Sequence, residues 1–185
     1  MWYSVYQLIY KGETDEKESF QMACYSHDAS YTLSFPSRPS LYGLYHWEEF
    51  DDGSTLYGRT EDLEPNHNKN FVVRERKNNK AGDKFVDETN GFSFDLPAVS
   101  YKYTAVPDVT PEQGVFDEAG FNEEGVSISA NVSASANDDI QKKDPYVKDG
   151  IAESAITSVV LPHVKTAREG VELLAKIVRE KGAAE

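Results

Sequence analysis

The hydrophobic period of the chain changes once, after Asp149, and that change limits the folds open to it. Upstream, short runs alternate apolar and polar residues between turn signals, as half-buried strands do. The segments Ser54–Arg59, Phe71–Arg76, Phe92–Leu96, Tyr101–Val106 and Val126–Ala130 read this way. Asp52-Gly53, Asn78–Gly82, Asn90-Gly91 and the Gly120–Gly125 stretch supply the turns between them. Downstream, Ile151–Leu161 predicts a buried helix that stops at Pro162. Thr166-Ala167-Arg168-Glu169 is a capping box, and Ala167, Val171, Leu174, Ala175 and Val178 then fall on one helical face. Gly182 suits the C-terminal cap. Strands followed by two helices predict an α+β fold, with helices laid on a mostly antiparallel sheet.

A second discontinuity lies near residue 50. Residues 1–50 hold 12 of the 22 aromatic residues and the single cysteine, Cys24, but no Asn, whereas residues 51–185 hold nine Asn. Trp2–Tyr10 could form one strand there, and Ser30–Ser40 reads as a polar loop. The expected organisation is therefore an atypical segment 1–50, disordered or translated out of frame unless it is a small domain of its own, followed by a regular domain over 51–185.

Charge and cysteine content exclude several classes. Of the 185 residues, 19 are Lys or Arg and 32 are Asp or Glu, giving a net charge of 19 − 32 = −13. Nucleic-acid phosphates and anionic membranes both select clustered cations, so neither is expected as a partner. One cysteine rules out an internal disulfide and an all-cysteine zinc site. The four His are scattered without paired spacing, so no metal or other cofactor is expected. No apolar run reaches the roughly 20 residues of a membrane helix, and no basic-then-apolar leader opens the chain. A cytoplasmic location is the expectation.

Three segments carry candidate chemistry. Arg59 and Asp62, three apart at a strand end, most simply form a solvated ion pair. Asn122 sits between Gly120 and Gly125, where an Asn usually serves a turn. Glu153, after Gly150, reads as an acidic residue at a helix start rather than a catalyst.

Taken together, the stretches DGSTLYGRTEDLEPN (Asp52–Asn66), FDEAGFNEEGVSISANVSASAN (Phe116–Asn137) and Asp144–Glu185 resemble a known family. They are similar to the N-terminal-nucleophile (Ntn) cysteine dipeptidases of lactic acid bacteria, the dipeptidase A type, and more distantly to bile-salt hydrolases and penicillin V acylases. The resemblance spans about residues 51–185. It implies an αββα sandwich, here a partial one truncated at its C-terminal side, and hydrolysis of dipeptides without a metal. In that mechanism an N-terminal Cys attacks the peptide carbonyl while its own α-amine serves as base. The Gly-Arg-x-x-Asp motif maps onto Gly58, Arg59 and Asp62. Arg59 would favour the thiolate and Asp62 would orient the α-amine. Asn122 matches the Asn that helps form the oxyanion hole. Homo-oligomers are expected of the family.

The nucleophile is where this sequence departs from the pattern. Cys24, the only candidate, lies in Met22-Ala23-Cys24, 28 residues before Asp52, and would need cleavage after Ala23 and an inserted loop. Alternatively Tyr42–Glu49 back-translates, one base out of frame, to a Met-Ala-Cys-Thr start like the family's own. The true nucleophile is then lost from this product. Three readings of function stay open: a cysteine-type Ntn dipeptidase, an inactive truncated product or acidic binding module, and an amide hydrolase that uses the same site on acylated amino acids.

Overall fold

The computed structural model describes residues 7–10, 69–108, 116–132 and 135–185. Its main sheet has five strands in the order β1-β9-β8-β7-β2, every neighbour antiparallel. These are β1 (Gln7–Tyr10), β2 (Val72–Arg74), β7 (Tyr103–Pro107), β8 (Asp117–Asn122) and β9 (Val126–Ser129). Between β2 and β7 the chain folds into two small nested ladders. β3 (Lys77–Asn78) pairs with β6 (Val99–Ser100), and inside it β4 (Lys84–Val86) pairs with β5 (Ser93–Asp95). The turn expected at Asn78–Gly82 therefore joins β3 to β4 rather than closing a hairpin, with Gly82 at φ +92°. Asn90-Gly91 does close the β4–β5 hairpin, and Gly91 takes φ +83°.

Pairing register decides which side chains meet the core. Ala105, Gly120 and Ile128 stand side by side across β7, β8 and β9, and Tyr103 stands opposite Asn122. Tyr103, Ala105, Val126 and Ile128 are buried in one cluster with Ala155, Ile156 and Val159 of α2 (Glu153–Val160) and Leu174 and Ile177 of α3 (Ala167–Lys181). The alternate row, Val73, Thr104, Phe121 and Ser127, faces the other way. Val73 and Phe121 on it are about half exposed. The described fold is thus helices over one face of an antiparallel sheet, the expected α+β class.

The helices differ from expectation in detail. A short α1 (Asp138–Gln141) is added, capped by the Asn137 side chain. Helix α2 starts at Glu153, because Ile151 is instead paired in parallel with Ala183. Its N-cap is Ala152, which has no side-chain acceptor. The Glu185 carboxylate fills that gap by accepting from Glu153 N–H, and beside it Ser154 donates its hydroxyl to buried Asp87. Helix α3 has the predicted capping box, with Glu169 N–H donating to Thr166 Oγ1 at 3.2 Å and the Glu169 carboxylate accepting from Thr166 N–H. Its buried face is Ala167, Gly170, Leu174 and Ile177, with Val171 and Val178 packed at the margin. Gly182 ends it at φ +77°.

Strand β1 comes from within residues 1–50. Gln7, Leu8, Ile9 and Tyr10 stand opposite Ser129, Ile128, Ser127 and Val126.

Candidate active site

The β8–β9 hairpin carries the one predicted site residue that the structure describes. Asn122 ends β8, and its side chain is buried, with 3% of the residue exposed. Its Nδ2 donates to the carbonyls of Leu161 at 2.9 Å and Val164 at 2.8 Å. Its Oδ1 accepts from the N–H groups of Glu124 at 3.1 Å and Val126 at 3.0 Å. All four hydrogen-bonding positions of the amide are engaged. Asn122 is therefore more than a turn residue: it fastens the β8–β9 turn to the turn that leaves α2. Gly125, at φ +82°, closes the hairpin by donating to Asn122 O.

Replacing Asn122 by Ala strands two carbonyls and two N–H groups in a buried place. We expect a loss of about 3 kcal/mol in urea unfolding. Asn122→Asp should do no better, because a carboxylate would then face the Leu161 and Val164 oxygens. A wild-type unfolding midpoint in either variant would refute this account of the amide.

Around this turn lies a set of charged and aromatic groups. Glu123 accepts from Lys102 N–H at 2.9 Å and from Arg76 Nη1 at 2.7 Å. The Lys102 hydrogen bond, with the Arg76 cation behind it, holds the Glu123 carboxyl below the usual glutamate range. The Arg76 guanidinium and the Lys165 ammonium lie 5.3 and 5.9 Å from the centre of the Tyr101 ring. Tyr101 N–H donates to Pro162 O at 3.0 Å, so strand and post-helix turn meet here as well.

At the other end of β8 is a buried cluster that sequence reading missed. Asp117 has no exposed surface. It accepts from Arg74 Nη2 at 2.8 Å and Nε at 3.2 Å, from the Tyr103 hydroxyl at 3.0 Å and from Ser158 Oγ at 3.1 Å. Strands β2, β7 and β8 and helix α2 are tied at one carboxylate. Burial, and next the Asp117 charge, push the Tyr103 phenol above its ordinary range. The hydrogen bond to Asp117 raises Arg74 in the same way. Beside this cluster Lys69 donates to Glu118 at 2.8 Å. A signal existed in the sequence: Arg74 shares strand parity with Val72, on the core face.

Arg59, Asp62 and Cys24 lie outside the described residues, so their positions relative to Asn122 are not among these distances. Glu153 stands in the first turn of α2, as its reading as a helix-start charge required. Among the described residues, no helix is long and apolar enough to cross a membrane.

Known proteins give this arrangement a context. The chain is 72% identical over 134 residues to "Probable dipeptidase B" of Streptococcus pyogenes serotype M1, covering 72% of this chain and 27% of that protein. It is 39% identical over 135 residues to "Probable dipeptidase" of Latilactobacillus sakei, covering 72% of this chain and 28% of that one. To "Probable dipeptidase" of Salmonella dublin it is 38% identical over 135 residues, covering 72% and 31%. The chain thus spans between a quarter and a third of the length of these relatives. Residues 49–185, which include Arg59, Asp62 and Asn122, match Peptidase family C69, and on that match the chain belongs to this peptidase family.

Proposed function

We propose that the chain is part of a dipeptidase that cleaves its substrate by a cysteine-type Ntn mechanism. The observation that carries this reading is the 72% identity to "Probable dipeptidase B" over 134 residues. In this reading a cysteine freed at a chain terminus gives its thiol proton to its own α-amine. The thiolate adds to the peptide carbonyl, and the α-ammonium hands its proton to the amine of the second residue as the tetrahedral intermediate expels it. Water then cleaves the resulting thioester. Arg59 stabilises the thiolate by charge, and Asp62 orients the α-amine. Residue Cys24 is the only cysteine the chain can offer as nucleophile.

Asn122 takes the oxyanion side of the cleft. Direct donation from its amide would require exchanging one of the bonds to Leu161 or Val164 for the oxyanion, at the cost of an anchor of the turn. The open row of Val73, Thr104, Phe121 and Ser127 suits the packing of a second sheet, as the αββα sandwich requires. Copies of the chain could associate through the same face.

The test joins mass spectrometry to an assay. The purified chain is incubated with a dipeptide, with and without a thiol alkylator, and its N-terminus is read by mass. Hydrolysis that the alkylator stops, from a chain beginning at Cys24, supports the enzyme. An intact Met1 start without turnover supports the inert reading, and hydrolysis indifferent to the alkylator excludes the thiol mechanism. In an active preparation, Arg59→Ala should lower kcat by about two orders of magnitude, the scale of one lost charge stabiliser.

A further inference from the structure

We propose that Asn90 is a deamidation site held shut by the fold, and that its conversion to a carboxylate releases the β4–β5 hairpin from the entrance of α2. Of the nine Asn, Asn90 alone is followed by Gly. A glycine has no Cβ to crowd its own nitrogen, so that nitrogen can reach the side-chain carbon of the Asn before it. In the reaction the Gly91 nitrogen gives its proton to solvent and bonds to Asn90 Cγ. The Cγ–Nδ2 bond breaks, ammonia leaves, and a five-membered succinimide remains. Water then opens the ring at either carbonyl. The product is aspartate or, with the backbone rerouted through Cγ, isoaspartate. The balance is one water consumed, one carboxylate gained and one ammonium released.

Native contacts occupy the atoms this reaction uses. Gly91 N–H, which must lose its proton, donates to Asp87 O at 2.8 Å. Asn90 Oδ1 accepts from Phe92 N–H at 2.9 Å, and Nδ2, the leaving group, donates to Gly150 O at 2.9 Å. The amide is clamped at both ends. The loop is braced from its other limb as well, where buried Asp87 accepts from Thr89 N–H at 2.9 Å and from the Thr89 and Ser154 hydroxyls. Phe92, two residues on, is buried in the core. Ring closure turns Cγ toward the Gly91 nitrogen and away from these partners, so it waits on a local opening of the loop.

Once made, the change keeps the loop open. Asn90 is tied to Gly150 by a donor, and a carboxylate has none. Aspartate at this position would set an anionic oxygen against Gly150 O where an N–H stood. Isoaspartate would also lengthen the backbone between Asp87 and Phe92, whose N–H and C=O pair across the neck of the loop. Gly150 is the residue whose backbone lies against Gly182 and Ala183. The lost bond therefore anchored the hairpin at the point where α2 begins and α3 ends. Helices and main sheet stay in place while the hairpin comes free, and the site records past opening of the chain. This inference does not depend on the peptidase reading.

Peptide mapping by mass spectrometry tests the gate. The full chain is held at neutral pH, folded or in urea, and the conversion of Asn90 is followed with aspartate and isoaspartate separated. Asn78, exposed and followed by Asn79, is the reference. In urea Asn90 should convert well ahead of Asn78, and in the folded chain at least about tenfold more slowly than in urea. Equal rates at Asn90 in the two states would overturn the proposal, as would an Asn90 no faster than Asn78 in urea. Hydrogen exchange in Asn90→Asp tests the release. The Asp87 amide, which donates to Phe92 O, should lose about tenfold in protection while the β7–β8–β9 ladder keeps its own. Wild-type protection at Asp87, or an equal loss across the ladder, would count against the release, and the rate comparison stands whether or not that variant folds.

Discussion

Alanine at Gly120 should abolish the native sheet. Gly120 lies in the middle of β8, flanked by Ala105 of β7 and Ile128 of β9. A Cβ there would fall 2.1 Å from the Thr104 carbonyl oxygen, 3.1 Å from its carbon and 3.2 Å from Ala105 Cα. Every one of those atoms is backbone, so no rotamer change relieves the overlap. The strands would have to part by more than 1 Å, breaking ladder bonds of the strand that carries both Asp117 and Asn122. We expect a loss of at least about 4 kcal/mol, a large share of the roughly 5–15 kcal/mol that holds a typical domain. Gly82→Ala is the matched control. Unlike Gly120 it has a positive φ, +92°, but its Cβ would meet nothing within 4 Å. It should cost only about 1 kcal/mol. Circular dichroism and urea unfolding of the pair decide the matter. A Gly120→Ala chain that folds with the stability of the Gly82 variant would refute the close-approach argument.

The second large effect is expected at Asp117. Removing its carboxylate by Asp117→Ala leaves the Tyr103 and Ser158 hydroxyls buried without their shared acceptor, and leaves the Arg74 guanidinium without its counter-charge. Breaking a buried pair from one side typically costs about 3–5 kcal/mol. The Arg74 side chain is 38% exposed and can turn partly to water, which sets the expectation near the lower figure. Arg74→Met is harsher in kind, since Asp117 has no route to solvent and keeps only two hydroxyl donors. The informative variant is the double one. With Arg74→Met and Asp117→Ala together, neither charge of the pair is left behind. The chain should then be more stable than the sum of the single losses allows, by about 1 kcal/mol or more. Strict additivity in the unfolding free energies would mean that the two groups do not act as a pair.

Much of the architecture was legible because it rests on local rules. The capping box at Thr166 and the positive-φ glycine stop at Gly182 need only neighbours in sequence. So does the Asn90-Gly91 hairpin. The α+β class followed from the change of period alone. What escaped depends on partners far along the chain. Nothing local says that Ile151 will leave its helix to pair with Ala183, or that Glu185 will cap α2 from 32 residues away. Ile177, three residues after Leu174, is buried although the face read from the sequence omits it, while Ala175 on that face stays only partly buried. The site was legible in a narrower sense. Asn122 was singled out as a turn residue and as a family match, but its two carbonyl anchors lie about 40 residues on, in a turn whose path alternation cannot predict. Asp117, Arg74, Tyr103 and Ser158 converge from four elements, and only strand parity hinted that Arg74 points inward.

The bridge between Ile151 and Ala183 makes a noose of the last stretch of chain. Val147 donates to Ala183 O, Ile151 to Gly182 O and Ala184 back to Ile151 O. Gly150 is what lets the two limbs touch, since any Cβ there would lie 2.8 Å from the backbone of Gly182 and Ala183. The knot of backbone bonds thus joins the entrance of α2 to the exit of α3. The start of α2 and the end of α3 therefore cannot fray separately, and with their buried faces in one core cluster the two helices melt as one unit.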